Sequence, residues 1–181
     1  MVGYRVLRRK DVPEVQSVAL KAWTFAYRRY GLSLRLIRRF VSERYSTDSF
    51  DQTVFPSIEK GEAQFYLATE KGKIIGYSNT GRGVWGWELY RIYLLPEYIG
   101  RGVGRKLLLL CEDFLREKKA RKYHAYVWEE NKAALDFYKR NGFARLEGKN
   151  KNKVEICIEK KLTKSMPLSQ KQRLAINTIQ A

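Results

Sequence analysis

Residues 94–110 read LLPEYIGRGVGRKLLLL. An apolar strand ends at Pro96, glycines alternate at Gly100, Gly102 and Gly104, and a leucine-rich run follows. A backbone this bare between a strand and a helix suits either a tight turn or close approach of a phosphate-bearing ligand. Two familiar phosphate motifs do not fit. A P-loop needs G-x-x-x-x-G-K-[ST], which is absent near Gly100, and the dinucleotide fingerprint G-x-G-x-x-G meets Leu107 at its last glycine.

Working outward, Val103, Leu107, Leu110, Cys111 and Phe114 repeat with helical spacing on one face. Upstream, Trp87–Leu95 reads as a strand, and Gln64–Thr69 with Lys73–Thr80 reads as a hairpin turning at Lys71–Gly72. Downstream, Lys122–Trp128 is an aromatic strand, Asn131–Asn141 a helix stopped by Gly142, and strands are expected near Phe143–Glu147 and Lys153–Lys160. The N-terminal part opens with a strand over residues 3–9. Asp11, Pro13 and Glu14 then signal a helix start, and Ser33 can cap a second helix carrying Ile37 and Val41. Residues 46–62 read as a turn-rich loop with short helical pieces. The order β-α-α-β-β-β-α-β-α-β-β predicts a single α/β (α+β) domain over 1–162, with a mixed, mostly antiparallel sheet flanked by helices. The basic stretch 163–181 reads as one more helix or a mobile arm.

A chain of 181 residues, 44% apolar and 13% aromatic, can bury a core without metals or disulfides. No apolar run approaches a membrane span, the N-terminus lacks a signal-peptide pattern, and two distant cysteines point to a reducing cytoplasm. The net charge is +17, with eleven basic and three acidic residues in the first 45. Such a field attracts polyanions, including a phosphorylated cofactor, nucleic acid or a ribosomal surface. One histidine and two scattered cysteines give no structural zinc site.

The glycines acquire a partner in VWEENKAALDFYKRNGF, residues 127–143, which contains N-x-x-A-x-x-F-Y-x-x-x-G-F. Together the two stretches resemble the GCN5-related N-acetyltransferase (GNAT) superfamily, acetyl-CoA-dependent amine acetyltransferases. The family's [QR]-x-x-G-x-[GA] motif aligns with Ile99-Gly100-Arg101-Gly102-Val103-Gly104, both required glycines fitting and Ile99 replacing the usual Gln or Arg. The resemblance implies a sheet splayed between its fourth and fifth strands. It implies that the backbone of Ile92, Tyr93 and Leu94 pairs with the pantetheine arm of acetyl-CoA, with the Leu94 N–H on the thioester carbonyl. Gly100, Arg101, Gly102, Val103, Gly104 and Arg105 would surround the pyrophosphate. Asn131, Ala134 and Phe137 would border the thioester end.

Acetyl transfer to an amine requires loss of a proton from the incoming ammonium and protonation of the leaving thiolate. By resemblance Tyr138 is the general acid, and Glu88, eleven positions before Ile99, stands where histone-type relatives carry a base. Strict alternation puts Glu88, Tyr90 and Ile92 on one strand face and Leu89, Arg91 and Tyr93 on the other. His124 reads as a satisfied structural histidine and Cys111 as core. The resemblance implies an acceptor side shaped by the first two helices and nearby loops, for which Trp23, Tyr27, Tyr30, Tyr45, Trp85 and Trp87 are the candidate walls. A small amine, or a peptide or protein amine, would be the partner, to a monomer or homodimer. The alternative is a nucleic-acid- or ribosome-binding protein using the fold as a non-catalytic scaffold.

Overall fold

The computed structural model describes residues 1–148, 152 and 154–163, so the 163–181 tail lies outside the described residues except for its first position. Strands β1 (Val2–Val6), β2 (Ala63–Glu70), β3 (Lys73–Gly83), β4 (Gly86–Leu94), β5 (Lys122–Trp128), β6 (Ala144–Arg145) and β7 (Glu155–Lys161) form one sheet ordered β1-β2-β3-β4-β5-β7-β6. All neighbours are antiparallel except β4 and β5. The parallel step falls there because α5 (Val103–Glu117) carries the chain across the sheet between them. The turn Lys71–Gly72 and the strand Lys122–Trp128 stand where the sequence puts them.

Helices α1 (Val12–Tyr27) and α2 (Leu34–Arg44) cover one face. Val15, Val18, Ile37 and Val41 are buried there against Phe65, Leu67 and Tyr77. Ser33 caps α2 by accepting from the Leu36 N–H at 3.2 Å. Helix α1 starts where expected, and its N-cap residue is Asp11. Its side chain makes no cap bond to α1; it lies buried, paired with Arg5 at 2.5 and 2.8 Å and accepting from the Arg8 N–H. The stretch expected as a turn-rich loop with short helical pieces is helical almost throughout: α3 (Thr47–Ser49), a wide π-type turn over Phe50–Val54, and α4 (Phe55–Glu59). Burial of Phe50, Val54 and Phe55 in the same core outweighs the polar residues between them.

On the opposite face α5 and α6 (Lys132–Arg140) pack over β4, β5 and β7 through Leu108, Cys111, Phe114, Tyr123, Ile156 and Ile158. Leu107, predicted on the same stripe, joins Ala68, Ile75 and Val103 beside it. One irregularity matters for function. Thr80 registers with Leu89 and Asn79 with Arg91, so Tyr90 has no partner across β3. This bulge interrupts the alternation. Leu89 and Ile92 both pack on the α5 side, while Tyr93 joins the α1 side, so the alternation expected through Glu88, Tyr90 and Ile92 fails at Ile92.

Candidate active site

Strands β4 and β5 share a single register pair, Glu88 with His124, and diverge beyond it. This is the splay expected between the fourth and fifth strands. A cleft of about 200 Å³ fills it. Leu89, Tyr90, Ile92, Tyr93 and Leu94 line one side and Tyr126 and Val127 the other. Above and below stand α1, through Phe25, Ala26 and Tyr27 with Arg29 in the turn that follows it, and α6, through Ala134, Phe137 and Tyr138. The Leu95 N–H donates to the Ile75 carbonyl on β3 at 2.9 Å. Successive backbone N–H groups along a strand alternate in direction, so the Leu94 N–H faces the splay.

Beside the cleft, at its Ile99 and Gly104 end, lies the glycine turn. Gly100 and Gly102 adopt φ of +82° and +80°, a conformation glycine takes without strain, and a Cβ on either would meet nothing within 4 Å. Gly102 is the N-cap of α5, and the first helical bond runs from the Lys106 N–H to the Gly102 carbonyl at 3.1 Å. The N–H groups of Val103, Gly104 and Arg105 therefore open into space at the positive end of the helix dipole. The Val103 side chain is core, leaving only its backbone to the site. Arg105 is exposed, and the Arg101 guanidinium lies over the Tyr98 ring at 5.3 Å. A Cβ on Gly104 would stand 3.5 Å from both Leu94 Cδ1 and the Phe137 ring, in ordinary contact, so α5, β4 and α6 meet closely here without requiring glycine. Ile99 is 54% exposed at the rim.

Asn131 starts α6, its side chain accepting from the Ala134 N–H at 3.2 Å. This cap aims the first turn of α6 along the cleft. Phe137 and Tyr138, adjacent in sequence, both border the cleft, their rings 5.4 Å apart. Tyr138 is buried, packed edge-on against Phe143, and burial raises its phenol well above the ordinary value. Among the described residues no group hydrogen-bonds its hydroxyl, which leaves a neutral donor at the wall.

Glu88 is not part of the lining. It sits at the closed end of the splay beside Tyr90, which does line it. Glu88 Oε2 and the Tyr90 hydroxyl would stand 3.0 and 3.2 Å from a Cβ on Gly83, and the Tyr90 ring 3.1 Å from one on Gly81. These two glycines of β3 make room for the pair. Burial, then the Glu88 charge, pushes the Tyr90 phenol to about 12. His124 is buried as expected but not satisfied: Nε2 has no hydrogen-bond partner and lies 3.5 Å from Glu88 Oε2.

Of the residues proposed for the acceptor side, Tyr27 lines the cleft, with Trp23 packed on it at 5.0 Å. Tyr45 is sealed in the core, Trp87 packs on Phe114 on the other face, and Trp85 is exposed at the β3–β4 turn. Phe25, Arg29 and Tyr126 line the cleft without having been singled out. Tyr126 had a readable signal, the alternation of a strand already recognised; Phe25 and Arg29 had only helical spacing from Tyr27's neighbours.

A splayed parallel pair, a glycine-opened helix N-terminus beside it and a phenol in its wall thus meet around one cleft. Residues 25–143 match the model of the acetyltransferase (GNAT) family, and the chain belongs to that family. It is an N-acetyltransferase, and the class uses acetyl-CoA as acyl donor. Spermidine N(1)-acetyltransferase of Thermoplasma acidophilum is 28% identical over 143 residues, covering 78% of this chain and 88% of that one. The PaiA N-acetyltransferase of the same organism, solved with coenzyme A, superposes with a TM-score of 0.81 at 26% identity, covering 90% of this chain and 99% of that one. A mycothiol acetyltransferase of Amycolatopsis mediterranei is 36% identical over 95 residues, 48% of this chain and 32% of its own length. Membership decides for the enzyme over the non-catalytic scaffold. Among the described residues no helix is long and apolar enough to cross a membrane.

Proposed function

We propose that this chain acetylates a primary aliphatic amine by direct attack within a ternary complex. The observation that carries the reading is the splay itself. It leaves the Leu94 N–H unpaired on one side of a cleft and the free Tyr138 hydroxyl in its wall.

The residues present fit the donor. The open N–H groups of Val103, Gly104 and Arg105, with no Cβ at Gly102 to fill the approach, suit a pyrophosphate. Arg101 and Arg105 add charge, and the freed edge of β4 at Ile92, Tyr93 and Leu94 offers an extended arm a strand to pair with. Ile99 in place of a polar residue at the rim contributes only apolar contact, so the cradle depends on backbone. Asn131, Ala134 and Phe137 border the same channel. Acetyl-CoA, when bound, supplies an acetyl group activated as a thioester. The Leu94 N–H is directed to donate to developing negative charge on a carbonyl oxygen. Tyr138 holds, on its hydroxyl, the proton that a departing thiolate needs. Glu88 takes the proton of the incoming ammonium, its route to the cleft passing the Tyr90 hydroxyl or a water beside it.

Direct attack is supported by what the lining contains. No cysteine, serine or histidine occurs in it among the described residues, and Cys111, whose thiol burial pushes to about 12, lies in the core. The lining thus lacks the cysteine, serine or histidine on which an acyl-enzyme most commonly forms. For the acceptor, Phe25, Tyr27, Tyr90 and Tyr126 give aromatic walls suited to a methylene chain, and the acceptor named for the Thermoplasma relative, spermidine, has such chains. The test is coenzyme A release with spermidine and, in parallel, with a short peptide bearing a free amino terminus. Turnover of spermidine with a sequential kinetic pattern is expected. Ping-pong kinetics would overturn direct attack, and preference for the peptide would overturn the polyamine reading.

A further inference from the structure

The sole histidine of the chain is buried against the carboxylate read above as the base. We propose that His124 is a positioning residue for Glu88: its Nε2–H holds one carboxylate oxygen, so that the other faces the cleft. The inference rests on Glu88 being the base.

Three observations meet at this point. Glu88 and His124 are the one register pair that joins β4 to β5, so the two side chains stand at the apex of the splay. His124 Nε2 is sealed from solvent with no hydrogen-bond partner, a state that costs free energy unless a partner closes on it. Glu88 Oε2 stands 3.5 Å from it, on a side chain 15% exposed. Hydrogen bonds of catalytic groups are commonly long in the free enzyme and tighten when substrate arrives.

The other charged and titratable groups around the ring do not compete for Nε2. Glu159, the register partner of His124 on β7, is taken by Lys122 at 2.9 Å. Tyr126 meets the imidazole edge-on at 5.3 Å, and Tyr90 lies beyond Glu88 against Gly83. On β3 the neighbouring positions are Gly81 and Gly83, which bring no charge, and Arg82 turns away onto Trp87. Proton balance is simple. The ammonium proton passes to the free oxygen of Glu88 and leaves from there to solvent, while His124 keeps its own Nε2 proton throughout.

The experiment is a double-mutant cycle on coenzyme A release with spermidine, joined to nitrogen-15 NMR of the imidazole, whose signals a single histidine makes unambiguous. His124→Leu is expected to lower kcat on the order of 10- to 100-fold, the loss of one hydrogen bond to a charged group, with the KM for acetyl-CoA held. His124→Gln, which keeps an N–H donor, should recover most of the rate. In a Glu88→Ala background, His124→Leu should cost nothing further. Equal losses in both backgrounds, or no loss with Glu88 present, would leave His124 a packing residue and overturn the proposal alone. Wild-type kcat in Glu88→Ala would overturn the assignment of the base as well. The NMR arm decides without turnover: with coenzyme A and spermidine bound, the Nε2 resonance of the wild type should report a bonded proton and shift in Glu88→Ala, and an identical resonance in the two proteins sinks the pairing.

Discussion

The hydroxyls of Tyr27 on α1 and Tyr93 on β4 lie 3.1 Å apart. The Tyr27 ring also stacks on Trp128, the last residue of β5, with centroids 5.4 Å apart. One side chain thus touches both diverging strands at the wide end of the splay. Tyr27→Phe removes the hydroxyl contact and keeps the stack. It should cost about 1 kcal/mol of stability, read by urea unfolding, with kcat nearly held. Tyr27→Ala removes both contacts and part of the cleft wall. There the KM for the amine should rise at least several-fold more than in Tyr27→Phe; equal KM values in the two variants would place Tyr27 outside the acceptor path.

Gly102 separates a ligand effect from a folding effect. Its φ of +80° disfavours a β-branched residue, but nothing lies within 4 Å of the added Cβ. Gly102→Val therefore should strain the turn by on the order of 1–2 kcal/mol and still fold. The new side chain would stand over the open N–H groups of α5. Titration calorimetry with acetyl-CoA should show affinity lost by more than tenfold while the thermal transition stays cooperative. Retained affinity would mean that the turn is only a turn.

Tyr138→Phe tests the acid. The ring packs against Phe143 and Phe137 without needing its hydroxyl, so the variant should fold as well as the wild type. Loss of a general acid lowers turnover by about 10²-fold or more, with coenzyme A affinity unchanged. Because burial raises the phenol, it stays protonated through neutral pH, and no alkaline fall in kcat from this group is expected below pH of about 10. Parallel loss of kcat and affinity would show Tyr138 to be a wall and not a donor.

The region from Trp87 to Phe143 was legible because its signals are local. Glycines at Gly100, Gly102 and Gly104 report backbone demands, and Asn131 to Tyr138 lie on one short helix. What stayed hidden depends on contacts between distant residues. The bulge at Tyr90 leaves no mark on β4 itself; its room is made across the hairpin by Gly81 and Gly83. The approach of His124 to Glu88 exists only because β5 returns beside β4 after a helical crossover. The helical run over residues 47–59 was obscured for a related reason, since its apolar contacts at Phe50, Val54 and Phe55 are irregularly spaced and supplied by tertiary packing.

The tyrosines predict how the fold fails. Tyr45, Tyr77, Tyr93, Tyr123 and Tyr138 are all buried or nearly so, and burial is the largest cause raising each phenol. The Tyr45 and Tyr77 hydroxyls share a bond of 2.9 Å, and Tyr123 donates to buried Glu112 at 2.7 Å, so none of these can ionise in place without breaking a contact or burying a charge. In the unfolded chain each phenol ionises at its ordinary value of about 10. Below that pH both states hold the same phenolic protons, and stability from this source is constant. Above it the unfolded state releases protons that the native state keeps, so ΔG of unfolding falls as pH rises. Urea denaturation at pH 8 through 11 should show a midpoint that is level at first and drops beyond about pH 10. Phenolate absorbance should appear together with loss of structure and not ahead of it. If these tyrosines ionise while the circular dichroism of the fold is intact, the aromatic packing on the two faces of the sheet is more open to water than its contacts imply.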